Sequence, residues 1–319
     1  NSFVDTVESR ERLDYLYCLT VADIAAVGPQ VWTVWKGSLL TELYHSASQV
    51  LLGDMPTSKN EMARLQQQRE AALALIESSE RAQAEAKLLQ LPANMLRHLS
   101  NERLAMIAQF LLTCSQQDGV ETHIDQQHGG TLILVHSRSR DGLFAALASV
   151  IHSCRVSVIS AQGFDLDDGY IIDIFLIQNM DGSIPQEQSD LAKLRNRINK
   201  ILSSEQLPVH HPLTDWKVHI LMRQVTPKVR LLPQASTHYT VVEVTAADRP
   251  GILADLSAAI NSCKMHIHGT QISTFGEQVV DVFFLERMGG APLDEESRQQ
   301  LFTALYAVIT LPNEPTDAT

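Results

Sequence analysis

One pattern occurs twice in this chain, 109 residues apart, and it leaves few folds open. Val135 is matched by Val244, Gly142 by Gly251, Ala145 by Ala254, Leu147 by Leu256, Ile151 by Ile260, Ser153-Cys154 by Ser262-Cys263 and Gln162 by Gln271. One residue drops out in the next hairpin, after which Asp173-x-Phe175 matches Asp281-x-Phe283 at a spacing of 108. Matches held in register over this length mark an internal duplication, and each copy is then one structural unit. Within each copy the hydrophobic period alternates between two and 3.6 residues. In the first, TLILVHS (131–137) reads as a strand. A helix over 141–154 follows, with Leu143, Phe144, Leu147, Val150, Ile151 and Cys154 on one face. VSVISAQGFDL (156–166) and YIIDIFLIQ (170–178) are strands, and Leu191, Leu194, Ile198 and Ile201 mark a second helix. The second copy repeats this with strands at 238–246, 265–274 and 278–286. Its helix over 249–263 carries Ile252, Leu253, Leu256, Ile260 and Cys263, and a last helix holds Leu301, Leu305, Val308 and Ile309. The order βαββα with one further strand is the ferredoxin-like plan, so the chain is expected to be α+β with two βαββαβ units. Two helices cover one face of such a sheet. The other face and the edge strands need a partner, and the two copies are expected to pack on each other.

Upstream the pattern is helical. Residues 1–56 carry Leu13, Leu16, Tyr17, Leu39, Leu40, Leu43, Tyr44, Val50 and Leu51 at helical spacing, broken at Gly28-Pro29 and ended by Gly53 and Pro56. Residues 57–129 form a connector rich in Gln, Glu, Ala, Arg and Leu, with Pro92 opening a further helix and the apolar run 106–114 near its end. The units then occupy 130–236 and 237–319, with a Pro-punctuated stretch over 203–236 that ends in KVRLLP.

Charge narrows the function. The 319 residues hold 25 basic and 37 acidic side chains, a net charge of −12. That sign disfavours a nucleic-acid binder and docking on an anionic membrane. No apolar run approaches the ~18 residues that span a bilayer, and NSFVDTVESR at the start lacks the apolar core of a secretory signal. Cys18, Cys114, Cys154 and Cys263 form neither a CxxC pair nor a Cys/His zinc spacing, which points to reduced, mostly buried thiols in a cytoplasmic protein. The chain begins at Asn1, and we read it as a piece of a longer protein.

The chemistry sits at the strand-to-helix turn of each copy. The second reads Asp248-Arg249-Pro250-Gly251-Ile252 and the first Ser139-Arg140-Asp141-Gly142. Proline at a helix start forfeits no hydrogen bond, and glycine lets a ligand approach the backbone. The free N–H groups and positive dipole end suit a carboxylate. Asp248 can accept from an ammonium group. The plainer alternative is a capped helix start with a surface aspartate.

VTAADRPGIL (244–253) followed by CKMHIHGTQISTFGEQVVDVFFLE (263–286) resembles the ACT domain, a small amino-acid-binding module, and the two copies together resemble a tandem ACT pair over about 130–319. The GEQ-VVDVF end of that signature is most similar to the last ACT domain of the bifunctional uridylyltransferase/uridylyl-removing family. LDYLYCLTVADIAAVGPQVWTVWKGSLLTELY (13–44) independently resembles the closing helices of that family's HD phosphohydrolase domain. The resemblance implies that 1–56 is the end of an HD domain and that Asp23 of TVADI is a ligand to Mg or Mn. It implies transfer of UMP from UTP to the nitrogen-signalling protein PII, and hydrolysis of that bond. It also implies glutamine as the effector, bound by the ACT turns at Ser139, Arg140, Asp141, Gly142 and at Asp248, Arg249, Pro250, Gly251 and Ile252. His268 matches a histidine of the ACT signature, which implies a place at an interface or beside a ligand.

The departures are as informative. No His-Asp dipeptide occurs, no histidine precedes His45, and the family's nucleotidyltransferase domain is absent. A lone Asp23 does not hold a catalytic divalent ion, so this chain alone is expected to be catalytically silent and to bind no metal tightly. Two alternatives are an HD/ACT guanosine tetraphosphate synthetase/hydrolase, which usually has one ACT domain after a β-rich module, and a non-catalytic tandem-ACT binding protein. His266 and His268, two apart on a strand, share a face but show no third metal ligand in the sequence. Asp165, Asp167 and Asp168 before Gly169 read as an acidic turn. His210-His211 reads as a solvated loop pair, Trp32 and Trp35 as helical packing, and Cys154 and Cys263 as structural.

Overall fold

The upstream residues form six helices among those the structure describes: α1 (Ser2–Val7), α2 (Arg10–Val27), α3 (Ser58–Ala74), α4 (Arg81–Gln90), α5 (Ala93–His98) and α6 (Asn101–Cys114). This is a computed structural model. It describes residues 2–27, 40, 43–44, 47–48, 50–51, 58–114, 117–166, 169–207, 225–233, 239–275, 278–287 and 293–310. Trp32, Trp35 and His210-His211 lie outside them. Pro92 caps α5 from the extended region, as its position before a helix requires.

The first unit follows as β1 (Gly119–Asp125), β2 (Gly130–Arg138), α7 (Leu143–Ser153), β3 (Val156–Asp165), β4 (Tyr170–Asn179) and α8 (Gln188–Leu202). The second repeats it as β5 (Lys228–Leu231), β6 (Thr240–Ala247), α9 (Ile252–Ser262), β7 (Met265–Phe275), β8 (Gln278–Arg287) and α10 (Glu295–Ile309). Each sheet is fully antiparallel, in the order β1-β2-β4-β3 and β5-β6-β8-β7. The additional strand of each unit comes first rather than last, giving ββαββα, and it begins upstream of residues 130 and 237 respectively. β1 carries no apolar run. It is a half-buried edge strand in which Glu121, Thr122, His123 and Asp125 leave only Val120 and Ile124 as large apolar residues, which hides it from a search for apolar β segments.

The two copies do not cover each other's open sheet faces. The first sheet is covered by the connector instead. Leu132, Leu134, Phe164, Ile172, Ile174 and Leu176 share a core with residues such as Ile76, Leu88, Leu104, Ile107 and Phe110 from the helical side. Each such side chain contributes roughly 1.5–3 kcal/mol on leaving water, so this is a fixed packing. The physical reason is the short path from Cys114 to Gly119, which lays α6 across β2. The contrast with the second sheet is direct. Ile172, Ile174 and Leu176 on β4 are buried, whereas their counterparts Val280, Val282 and Phe284 on β8 are only half-buried. The copies meet edge to edge: β3 runs beside β7, and α7 packs on α9. One apolar core passes through both units, from Leu147 and Ile151 to Leu256 and Ile260.

A polar clamp ties the connector to the first sheet. Asp125 ends β1 and accepts from Arg103 Nη2 of α6 at 3.1 Å, from the backbone N–H of His128 at 2.9 Å, and from its ring Nδ1 at 2.7 Å. Burial pushes the Asp125 carboxyl up, but these donors outweigh it and bring it down to about 2. A carboxyl held below its unfolded value stabilises the fold above that value and loses the contribution as pH falls from about 4 to 2. Asp125→Ala is therefore expected to lower stability by about 2 kcal/mol at pH 7, with a smaller loss at pH 3. Urea midpoints at the two pH values check this; equal losses at both would refute it.

Two matched clefts between the repeat units

β2 enters α7, and β6 enters α9, through the same turn. Leu143 N–H donates to Arg140 O at 3.1 Å, and Ile252 N–H to Arg249 O at 3.2 Å. Gly142 and Gly251 close these turns at φ +78° and +80°, where a side chain costs about 1–2 kcal/mol. Both are N-caps that make no side-chain cap hydrogen bond, at the positive ends of the helix dipoles of α7 and α9.

The turn arginines face inward. Arg140 donates to the carbonyls of Ser204, Ile201 and Leu202 at 2.7, 3.3 and 3.0 Å, closing the C-terminus of α8. Arg249 reaches Val308 O at 3.4 Å near the end of α10 and pairs with Asp255 at 2.5 Å, with side chains only 4% and 1% exposed. In both copies the arginine fastens the turn to the unit's second helix.

Each turn faces the other copy across a cleft. The first cleft is lined by Arg140, Gly142, Asp165 and Asp173 from one unit and by Ser257, Asn261, His266 and His268 from the other. The second is lined by Asp248–Ile252 and Asp281 from one unit and by Ala148, His152, Val156–Val158 and Met180 from the other. Shifted by 109, Ala148 becomes Ser257, His152 becomes Asn261 and Ser157 becomes His266. The clefts are thus related by the duplication and differ in their walls. The second is roomier, about 660 Å³ with its mouth against about 440 Å³. The first is narrowed where a Cβ at Gly142 would stand 3.0 Å from Asn261 Nδ2.

A buried aspartate reaches each cleft from the middle of the sheet. Asp173 stands opposite Val135, and Asp281 opposite Val244. They are 3% and 0% exposed. Burial, reinforced by the Asp165 charge and opposed by His266, pushes the Asp173 carboxyl up to about 7. Burial also raises Asp248 above the usual carboxylate range. Asp165 is not part of a solvated turn. It is the last residue of β3, in contact with His268 Nδ1 and 3.9 Å from His266 Nε2. Burial raises its carboxyl, yet the two imidazoles outweigh that and hold it well below its ordinary value. Asp167 and Asp168 lie outside the described residues.

Of the residues singled out from the sequence, Asp248, Arg249, Pro250, Gly251 and Ile252 come together in the second cleft. Arg140 and Gly142 line the first, while Ser139 and Asp141 are exposed on the same turn. Asp23 is exposed on α2. Among the described residues, the group placed to hold a metal is Asp165, His266 and His268. The thiols were expected to be mostly buried; Cys114 is, Cys154 and Cys263 are half-buried at helix ends, and Cys18 is exposed on α2. Asp173 and Asp281 were missed as cleft residues. Their signal was present: one acid inside an otherwise apolar strand, kept in both copies.

No family model matches the chain. It is 34% identical over 304 residues, 93% of its length, to the bifunctional uridylyltransferase/uridylyl-removing enzyme of Azospirillum brasilense. It is 30% identical over 318 residues, 97% of its length, to the enzyme of that name from Rhodospirillum rubrum. It is likewise 30% identical over 314 residues, again 97%, to that of Photobacterium profundum. The chain spans 32%, 34% and 35% of these relatives, about a third of each. Among the described residues no helix is long and apolar enough to cross a membrane.

Proposed function

We propose, from the premise that nearly the whole chain corresponds to about one third of a bifunctional uridylyltransferase/uridylyl-removing enzyme, that it is the amino-acid-sensing part of such a protein. The observation that carries this reading is the pair of clefts, each built jointly by the two repeat units. The second cleft offers what an α-amino acid needs. The uncapped N–H groups of α9 suit its carboxylate, and Asp248, with Asp281 at the floor, suits its ammonium. Glutamine is the effector we assign. In the whole protein its binding favours removal of UMP from PII and suppresses transfer from UTP.

A ligand shifts such a balance only by binding one arrangement better than the other. The clefts lie between the units, so their occupant is sensitive to how the units sit. α6 lies on the first sheet and α3–α5 share one core with it, so this block would carry a shift of that sheet upstream. The chemistry itself is assigned to parts of the protein beyond this chain's residues. A single carboxylate such as Asp23 does not hold a catalytic divalent ion, and the isolated chain is expected to show no metal-dependent phosphodiesterase turnover.

Calorimetric titration of the chain with glutamine tests the proposal, with glutamate, serine and isoleucine as comparators. Saturable binding of glutamine, at least tenfold tighter than the others, is expected. A folded chain that binds none of them, or all alike, would overturn it.

A further inference from the structure

We propose that Asp165, His266 and His268 form a binding site for a first-row divalent cation of the zinc type, bridging the two repeat units. The ligand atoms of the three side chains all lie within 4.8 Å of one another, with His266 Nε2 3.9 Å from Asp165 Oδ1. In a tetrahedral site with metal–ligand bonds of about 2.0–2.1 Å the ligand atoms stand roughly 3.3 Å apart, so closure needs only small side-chain movements. Two imidazoles and one carboxylate suit zinc, cobalt or nickel better than magnesium or calcium, which favour all-oxygen shells.

The surroundings match such a site. His268 turns Nδ1 toward Asp165, and its Nε2 is 2.7 Å from Glu286 Oε2. A carboxylate that accepts from the far ring N–H fixes the tautomer that leaves the inner nitrogen free to bind a metal, and Glu286 stands within reach of that role. The His268 ring is also held by stacking on Tyr239, at 4.6 Å between centroids, and by the edge of His266 at 4.7 Å. The ligands come from different copies, Asp165 at the end of β3 and the histidines on β7, so the ion would pin the sheets where their edges meet. Three protein ligands leave a fourth position, and all three line the first cleft. The duplication does not reproduce the site: the counterparts of His266 and His268 are Ser157 and Ile159.

The test is titration of the metal-stripped 319-residue chain with Co2+, followed by visible absorption, and with Zn2+ by competition against a chelator. One equivalent is expected to give the intense bands of a low-symmetry cobalt site. Asp165→Asn and His268→Gln should each weaken Zn2+ binding by more than about 100-fold. Glu286→Gln should weaken it by about 10–100-fold, as outer-carboxylate changes do. His210→Ala with His211→Ala should leave binding unchanged, and Zn2+ should raise the melting temperature of the parent chain but not of Asp165→Asn. A folded chain that takes up no stoichiometric Co2+, or an Asp165→Asn chain that binds as tightly as the parent, overturns the site and leaves the three residues as an ion-pair cluster. If Asp165→Asn does not fold, His266→Gln, at a partly exposed side chain, decides by the same readouts.

Discussion

At pH 8 the Asp173→Asn chain is expected to resist urea better than the parent, and at pH 4 that advantage should nearly vanish. Asp173 is almost wholly buried in the middle of the first sheet, at the floor of the first cleft, and its Oδ2 has no hydrogen-bond partner among the described residues. Burial first, then the Asp165 carboxylate on β3, push its carboxyl up to about 7, against the partly offsetting charge of His266 on β7. Below the unfolded value of about 4, both states hold the proton and nothing is lost. Between about 4 and 7 the unfolded chain releases the proton while the folded chain keeps it, so stability falls as pH rises. Above 7 both states are ionised and the penalty is constant. A shift of about three pH units corresponds to about 4 kcal/mol. Asparagine has nearly the same shape and no ionisation. The difference between variant and parent should therefore grow by up to about 4 kcal/mol from pH 4 to pH 8. Parallel pH profiles for the two chains would show that Asp173 does not titrate in this window.

The second large effect is on ligand binding. Gly251→Val should weaken glutamine binding by at least tenfold, or about 1.4 kcal/mol, while Asp23→Ala leaves it unchanged. The valine must adopt φ +80°, which β-branched residues strongly resist, and its methyl groups enter the space above the first turn of α9. Gly251→Ala applies the same backbone strain with a smaller group, so it should fall between the two. Calorimetry on each chain, after circular dichroism shows a native melting transition, reads the series. Tight glutamine binding by a folded Gly251→Val chain would place the site away from this turn.

The duplication at 109 residues made both sheets legible, because every strand that pairs in the middle of a sheet carries a dense apolar run. β1 was not legible: a half-buried edge strand with Glu121, His123 and Asp125 on it carries a weak period. The turns were legible as special points, through Gly142 and Gly251, but their partners were not. Nothing local tells Arg140 to close a helix that ends some sixty residues later. Nothing local brings Asp165 to His268, more than a hundred residues away. Those contacts depend on β3 lying beside β7, a tertiary choice.

The shared construction of the clefts has a consequence for how such a molecule can change. A dimer of identical single units would build the same two clefts, but every substitution would alter both at once. Joined in one chain, the copies are separate genetic positions, and each cleft can drift alone. Here they have done so: Ser257, Asn261 and His266 face one cleft where Ala148, His152 and Ser157 face the other. Fusion turns a symmetric pair of sites into two addresses that selection can tune for different occupants.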